Sequence, residues 1–420
     1  MTRRGERAPP GPFARSTARL AGVALAAASL SAAGVARADV VPPASPPAAS
    51  IRPDPGSLDP VAAAGWSLRA RTTEPAPTPR PPPVAAAPLG PAPRLTPQLP
   101  SRRWALPAAA RLGREGLWPS PIGDLDAPAT RGELFQIASA VALRAGAPVP
   151  DHWAPRGALE RPVTAGEADR VLVRAMGLDA ERRSLAHLAT ADGRRFALPP
   201  GFPSEVLARE AGLRHNYPAG EERLERAPGQ DVARADLAGM GAAALAVASH
   251  PAFRERLAAY ADIQLPAMDE VTFVRIQRAL SQVGQPYVWG GEWPTAGSPA
   301  GPQARGGFDC SGLVWFAFRA GRAEAELGAL GGGLGRTTAD ALAWGGGAPR
   351  VALTALRPGD LVFFGPHGRR SRPGTIDHVA IVAGAGWMVQ ATGTRDGVSL
   401  TRVAAYWPRG LALARRPRGG

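Results

Sequence analysis

Gly307-Phe308-Asp309-Cys310-Ser311-Gly312-Leu313-Val314 holds the only cysteine in a chain of 420 residues. After it, Leu313, Val314, Phe316 and Ala317 recur at helical spacing, which puts Cys310 at or just before a helix N-terminus. A free thiol titrates near pH 8.5 and is weakly reactive at neutrality, but the unpaired N–H groups and positive dipole end of a helix start stabilise its thiolate. The same N–H groups receive the oxygen of a tetrahedral intermediate. A free cysteine is as a rule a small buried hydrophobe. One that stands alone, opens a helix and is flanked by Asp309 and Ser311 favours the reactive reading. A single cysteine also excludes an intramolecular disulfide framework and any Cys-based zinc or iron–sulfur site.

Downstream the sequence offers a base. Arg357-Pro358-Gly359-Asp360 reads as a turn into the apolar strand Leu361-Val362-Phe363-Phe364. Asp377-His378 then leads into Val379-Ala380-Ile381-Val382, and the turn Gly384-Ala385-Gly386 leads into Trp387-Met388-Val389-Gln390-Ala391. His378 therefore opens a strand, and Gln390 lies one antiparallel hairpin on, where its amide can meet the imidazole. Nucleophile, base and a third polar group that sets the ring's tautomer make the set Cys310, His378, Gln390. His367 sits in a polar Pro/Gly loop and is the poorer base.

Upstream, Val271, Val274, Ile276, Ala279, Leu280 and Val283 predict a helix ending at Gly284, with Pro286 beyond. Tyr287-Val288-Trp289-Gly290-Gly291 follows, and then 18 residues, 292–309, rich in Gly, Pro and Ser. That composition predicts a mobile flap beside the cysteine.

Together with Arg336-Thr337-Thr338, these motifs make residues 268–416 resemble the NlpC family of cell-wall endopeptidases, which are papain-like cysteine hydrolases. The resemblance implies an α+β fold with helices packed on an antiparallel sheet. It makes Cys310 the nucleophile, His378 the general base and Gln390 the third polar residue, where many members carry His. It also implies that the Tyr287 hydroxyl contacts substrate near the oxyanion, and that Asp309 and Ser311 recognise the polar end of a stem peptide. The implied reaction is amide hydrolysis through a thioester in peptidoglycan stem peptides, often between γ-D-glutamate and a diamino acid, with no cofactor or metal. Two alternatives stay open: an acyltransferase or amidase on another wall amide, and a wall-binding structural protein with an inactive peptidase module.

The rest of the chain differs in character. With 50 Gly and 46 Pro, part of the length cannot belong to a packed core, while 45% hydrophobic residues exclude a wholly disordered protein. Net charge is +14 and every basic residue is Arg, a pattern of GC-rich codon usage. The arginines are dispersed, with no basic helix or aromatic platform, which argues against a nucleic-acid partner. Residues 1–38 read as a signal peptide: an Arg-rich start, an apolar run and Ala36-Arg37-Ala38 as the cleavage pattern. Residues 39–101 read as a disordered Pro/Ala-rich linker. The expected location is secreted, extracellular or cell-wall associated, with no stable membrane span after cleavage.

Residues 102–262 read as helical. Thr130 with Glu133 forms a capping-box pattern, repeated 34 residues on by Thr164 with Glu167 and again, degraded, in Val232-Ala233-Arg234-Ala235-Asp236-Leu237. Such a period predicts stacked helical units. Thr130-Arg131-Gly132-Glu133-Leu134, the third copy and Asp151-His152-Trp153-Ala154 resemble S-layer homology repeats, which implies anchoring to anionic or secondary wall polymers. His152, His187, His215 and His250 show no metal-ligand spacing.

Overall fold

Three capped helix starts organise the first half of the computed structural model, which describes residues 102–119, 121–149, 158–215, 217, 224–299, 301–318, 337–345, 348–393, 397–403 and 410–417. The signal and linker segments, Asp151-His152-Trp153-Ala154 and Arg336 lie outside the described residues. The helices are α1 (Leu106–Arg114), α2 (Arg131–Ala145), α3 (Ala165–Ala175), α4 (Asp179–Ala186), α5 (Phe202–Glu210), α6 (Arg234–Ser249) and α7 (Pro251–Ala258).

Thr130 caps α2 as a full capping box, its Oγ1 accepting from Glu133 N and its N–H donating to the Glu133 carboxylate. Thr164 caps α3 by accepting from Glu167 N at 3.3 Å. Ala233 has no side-chain acceptor, so only the return bond survives at α6, from Ala233 N to Asp236 Oδ2 at 3.0 Å. Each cap residue pairs, as a short antiparallel bridge, with the residue two positions before another cap: Ala233 with Pro128, Thr130 with Pro162 and Thr164 with Asp231. The three helix starts thus meet in a ring, and α2, α3 and α6 each pack on the other two. This corrects the expectation of stacked units: a solenoid would leave each start facing its neighbour in a line, whereas here the backbone bridges close the set on itself.

Ion pairs run round the ring in one direction. Arg131 meets Glu167 at 2.8 Å and Arg234 meets Glu133 at 2.6 Å. The second repeat has Ala165 where the others have arginine, and Arg102, from the turn before α1, fills the gap by pairing with Asp236 at 2.9 Å. Asp236 also accepts from Tyr217 Oη at 2.7 Å. At the far ends of the helices Arg254 donates to Ala145 O at 2.9 Å, covering a carbonyl that the end of α2 leaves over.

The second half begins with α8 (Glu270–Leu280), capped by Asp269, and continues into α9 (Cys310–Phe318) and a six-stranded antiparallel sheet. Its strands are β5 (Arg350–Val351), β6 (Leu361–Phe364), β7 (His378–Gly384), β8 (Trp387–Thr392), β9 (Gly397–Arg402) and β10 (Leu411–Arg415), in the order β5-β10-β6-β7-β8-β9. The hairpin between β7 and β8 turns through Gly384, Ala385 and Gly386, all at positive φ, a backbone state that glycine enters without cost. One continuous apolar cluster runs from Ala109 in α1 to Leu400 in β9, so the helical half and the sheet half share a core. Tyr260 marks the junction: its hydroxyl donates to Leu400 O at 2.9 Å and its ring packs on Trp387. Among the described residues no helix is long and apolar enough to cross a membrane.

The 292–309 segment departs from the expected mobile flap. It folds as two nested two-stranded ribbons, β1 (Glu292–Trp293) with β4 (Gly307–Phe308) and β2 (Gly297–Ser298) with β3 (Gly301–Pro302). Gln303 is its hub, accepting from Glu292 N at 3.0 Å and donating to the carbonyls of Trp293 and Arg305 at 2.7 and 2.6 Å. Composition pointed to a loop because glycine and proline are frequent; a half-buried glutamine side chain supplies bonds that the short ladders lack.

Asp236→Ala removes the acceptor shared by Arg102, Tyr217 and the α6 start, and leaves a buried guanidinium short of its partner. We expect a loss of about 3 kcal/mol in denaturant unfolding. Glu167→Ala, at the half-exposed Arg131 pair, should cost less than about 1 kcal/mol.

Candidate active site

All nine residues of α9 are buried, because α8, the sheet and the β1 ribbon surround it. Its polar chemistry is therefore concentrated at its first turn. Asp309 stands just ahead of that turn and caps it: Oδ1 accepts from Gly312 N at 2.6 Å and from Ser311 Oγ at 3.1 Å. Oδ2 accepts from Gly290 N at 2.9 Å, which ties the helix start to the 287–291 loop. Gly312 lets the two approach, since a Cβ at this position would lie 2.0 Å from Gly291 O.

Cys310 is thereby fixed as the first residue of α9, with 9% of its surface exposed. The backbone N–H groups of Val379 and Ser311 reach its sulfur, and Val379 directly follows His378. Burial pushes the thiol up to about 12, and the charge of Asp309 adds to this; the two N–H groups work in the opposite direction.

His378 is the first residue of β7 and Gln390 lies in β8, so the antiparallel hairpin carries both side chains on one face. Their contact is direct, Nε2 to Oε1 at 2.8 Å, with Gln390 fully buried and His378 6% exposed. Across the other neighbour, His378 pairs in register with Phe364 of β6, and the two ring centroids lie 5.6 Å apart. Burial lowers the imidazole to about 4, against the opposing pull of the Gln390 hydrogen bond. An amide oxygen only accepts, so Nε2 carries the proton and the lone pair of the neutral ring is on Nδ1. Both shifts act against a preformed thiolate–imidazolium pair.

The structure thus sets Gln390 of β8 against the His378 ring, and the N–H of Val379, the residue after His378, against the Cys310 sulfur at the start of α9. Tyr287 is half-buried and bridges Phe308, two residues before the cysteine. Ser311 is buried and donates to Asp309, whose two oxygens accept bonds from the protein itself. His367 heads the short turn Gly368–Arg370 and makes no capping bond there. The capping duty of Asp309 was readable in sequence, since an aspartate one residue before a helix with an N–H three positions on is a standard N-cap. The Gly291–Gly312 contact had no such signal, because it joins two loops that only the fold brings together.

Residues 284–416 match the NlpC/P60 family. The chain is 33% identical over 157 residues to murein DD-endopeptidase MepH of Escherichia coli, covering 37% of this chain and 49% of that protein. It is 35% identical over 131 residues to peptidoglycan endopeptidase RipB of Mycobacterium tuberculosis, covering 30% and 46%. It is 33% identical over 152 residues to the gamma-DL-glutamyl hydrolase of Bacillus subtilis, covering 36% and 30%. The chain spans about half or less of the length of these relatives. Among solved structures, the P60 domain of an antigen from M. avium subspecies paratuberculosis is 29% identical and aligns with 35% of this chain and 94% of that one, at a TM-score of 0.26.

Gly312→Ala should lower unfolding free energy by about 3 kcal/mol, because the new methyl meets a backbone carbonyl that cannot rotate away. Ser311→Ala, which keeps the Asp309 cap to Gly312, should stay within about 1.5 kcal/mol of the parent in the same measurement.

Proposed function

We propose that this chain is an exported cysteine peptidase that hydrolyses amide bonds in peptidoglycan stem peptides, with Cys310 as nucleophile, His378 as general base and Gln390 as the group that orients the ring. The observation that carries the reading is the 2.8 Å bond from His378 to Gln390 beside a cysteine at a helix start. The match of residues 284–416 to NlpC/P60, and relatives named as peptidoglycan endopeptidases, support it.

The chemistry follows from the resting protonation. As Cys310 Sγ attacks the carbonyl carbon, its proton passes to His378 Nδ1, so no free thiolate is required at neutral pH. The developing oxyanion is met by N–H groups of the α9 start, with the Tyr287 hydroxyl nearby. The imidazolium gives its proton to the departing amine, leaving a thioester on Cys310. His378, neutral again, takes a proton from water as the water attacks the thioester, and thiol and carboxylate are released. Gln390 carries no charge, so it holds the ring without adding the electrostatic support that a carboxylate would give the imidazolium. Asp309 and Ser311 shape the substrate side of the helix start, and Asp309 does so while capping α9.

The names of the relatives divide between DD-endopeptidase and gamma-DL-glutamyl hydrolase. We read the γ-D-glutamyl to diamino acid bond as the one cut here. The helical half, with its ring of capped starts, is read as a wall-contacting unit for anionic or secondary wall polymers.

Digestion of purified peptidoglycan followed by mass spectrometry should give fragments with a new diamino-acid amino terminus, and Cys310→Ala should abolish them. Fragments ending in a new D-Ala carboxylate would assign the bond to the cross-link instead, and transferred acyl groups would make the protein an acyltransferase. The pH profile offers a second check. Burial depresses His378, so the base stays unprotonated below the usual histidine range, and the acid limb of kcat/KM should fall well under pH 6.5.

A further inference from the structure

The loop that delivers His378 to the site is held from outside the catalytic set. Thr338 caps the short helix Ala339–Trp344 by accepting from Ala341 N at 3.1 Å. The next acidic residue, Asp340, lies in the first turn and turns its carboxylate away from its own helix. Gly374 N donates to both Asp340 oxygens at 2.9 Å, and Ile376 N donates to Oδ1 at 3.0 Å. Ile376 is buried and stands two residues before His378. Asp377 N donates to Phe364 O at 3.1 Å, where the sheet takes over.

We propose that Asp340 is a positioning residue for His378, clamping the 374–376 backbone so that the imidazole enters β7 at the depth and angle the cysteine requires. The inference rests on the peptidase reading for its kinetic consequence, although not for its geometry.

The argument starts with what the loop would do alone. Gly374 sits at φ +85° with open space around it, a residue free to adopt many backbone states. Within the loop, Thr375 Oγ1 and Arg372 exchange hydrogen bonds at 2.8 and 2.9 Å, which shape a turn but do not fix its place relative to the sheet. Among the described residues, the Asp340 bonds are what tie that turn to a helix. A carboxylate taking backbone N–H groups makes charge-assisted bonds, stronger than neutral ones. The helix they spring from packs on β7 and β10, so the clamp has a rigid base. His378 begins β7, and just ahead of it this loop enters the ladder through the bond from Asp377 N to Phe364 O. A displacement there moves the ring against both Gln390 and Cys310, and misplacement by about 1 Å can cost on the order of 100-fold in rate.

Oδ1 alone takes both the Gly374 and the Ile376 N–H, so an asparagine oxygen can serve where it stood. The clamp therefore needs acceptor geometry more than charge. Asp340→Ala should lower kcat by at least roughly tenfold with KM little changed, since the loop adjoins the base and not the substrate. Asp340→Asn should recover most of that loss. The acid limb of kcat/KM should move upward in Asp340→Ala toward the ordinary histidine value, because a loosened strand start admits water to the ring. A proton NMR titration of His378 reads the same shift without any substrate. If the parent hydrolyses no peptidoglycan, the peptidase reading fails, and the NMR titration still decides the clamp. The proposal is overturned if Asp340→Ala keeps the parent's His378 titration and kcat, or if Asp340→Asn is as impaired as Asp340→Ala. A fall in melting temperature with an unmoved His378 titration also overturns it, as it makes Asp340 a purely structural residue.

Discussion

The contact between His378 Nε2 and Gln390 Oε1 favours a neutral imidazole with its proton on Nε2, and the proposed chemistry at Cys310 rests on that tautomer. A ring free to take either tautomer would spend part of its time with Nδ1 protonated and unable to accept from a thiol. Gln390 is fully buried in a central strand of the sheet, so the constraint is built into the β7–β8 hairpin and not left to a mobile side chain. Burial makes the imidazole a weak base and the thiol a weak acid. The two shifts oppose charge separation at rest, so proton transfer is expected to accompany attack. In the proposed reaction an oxyanion develops beside the α9 start as sulfur attacks the carbonyl, so charge separation is favoured only at the moment of reaction.

Two kinds of capping hold the molecule around that bond. At α9 a single aspartate caps the helix and pins the neighbouring loop, so the position of Cys310 depends on Asp309. In the helical half three related caps close into a ring, and Glu133 and Asp236 serve twice, once on their own helix and once for an arginine from another element, while Glu167 pairs with Arg131. The halves then share a core through α5, α6 and the sheet, with Arg209 donating to Gly284 O at 2.8 Å just ahead of the 287–291 loop. Trp293 packs edge-on against Trp315 and Phe316 of α9, and Arg305 donates to Glu225 O, so the folded ribbon links α9 to the helical half.

Much of this was legible in the residues. The helix after Cys310, the strand pair joined by Gly384-Ala385-Gly386, the capping box at Thr130 and the simpler N-cap at Thr164 are local patterns, set by spacing and turn chemistry over a few positions. The meeting of His378 with Gln390 was within reach because a tight hairpin fixes its own register. What sequence did not carry is long-range. The ring arises because residues 128, 130 and 164 find partners at 233, 162 and 231, and periodicity along a chain does not distinguish a closed ring from an open stack. The 292–309 ribbon was hidden because Gln303, a residue with no strand preference, supplies its bonds from the side chain. Asp340 was passed over because its partners are backbone N–H groups more than thirty positions away.

The most direct test is the ¹⁵N NMR spectrum of the His378 ring in the substrate-free protein at neutral pH. The account predicts an uncharged imidazole with Nε2 protonated and Nδ1 unprotonated, and loss of that preference when Gln390 is replaced by Ala. An imidazolium, or a ring protonated on Nδ1, would contradict it.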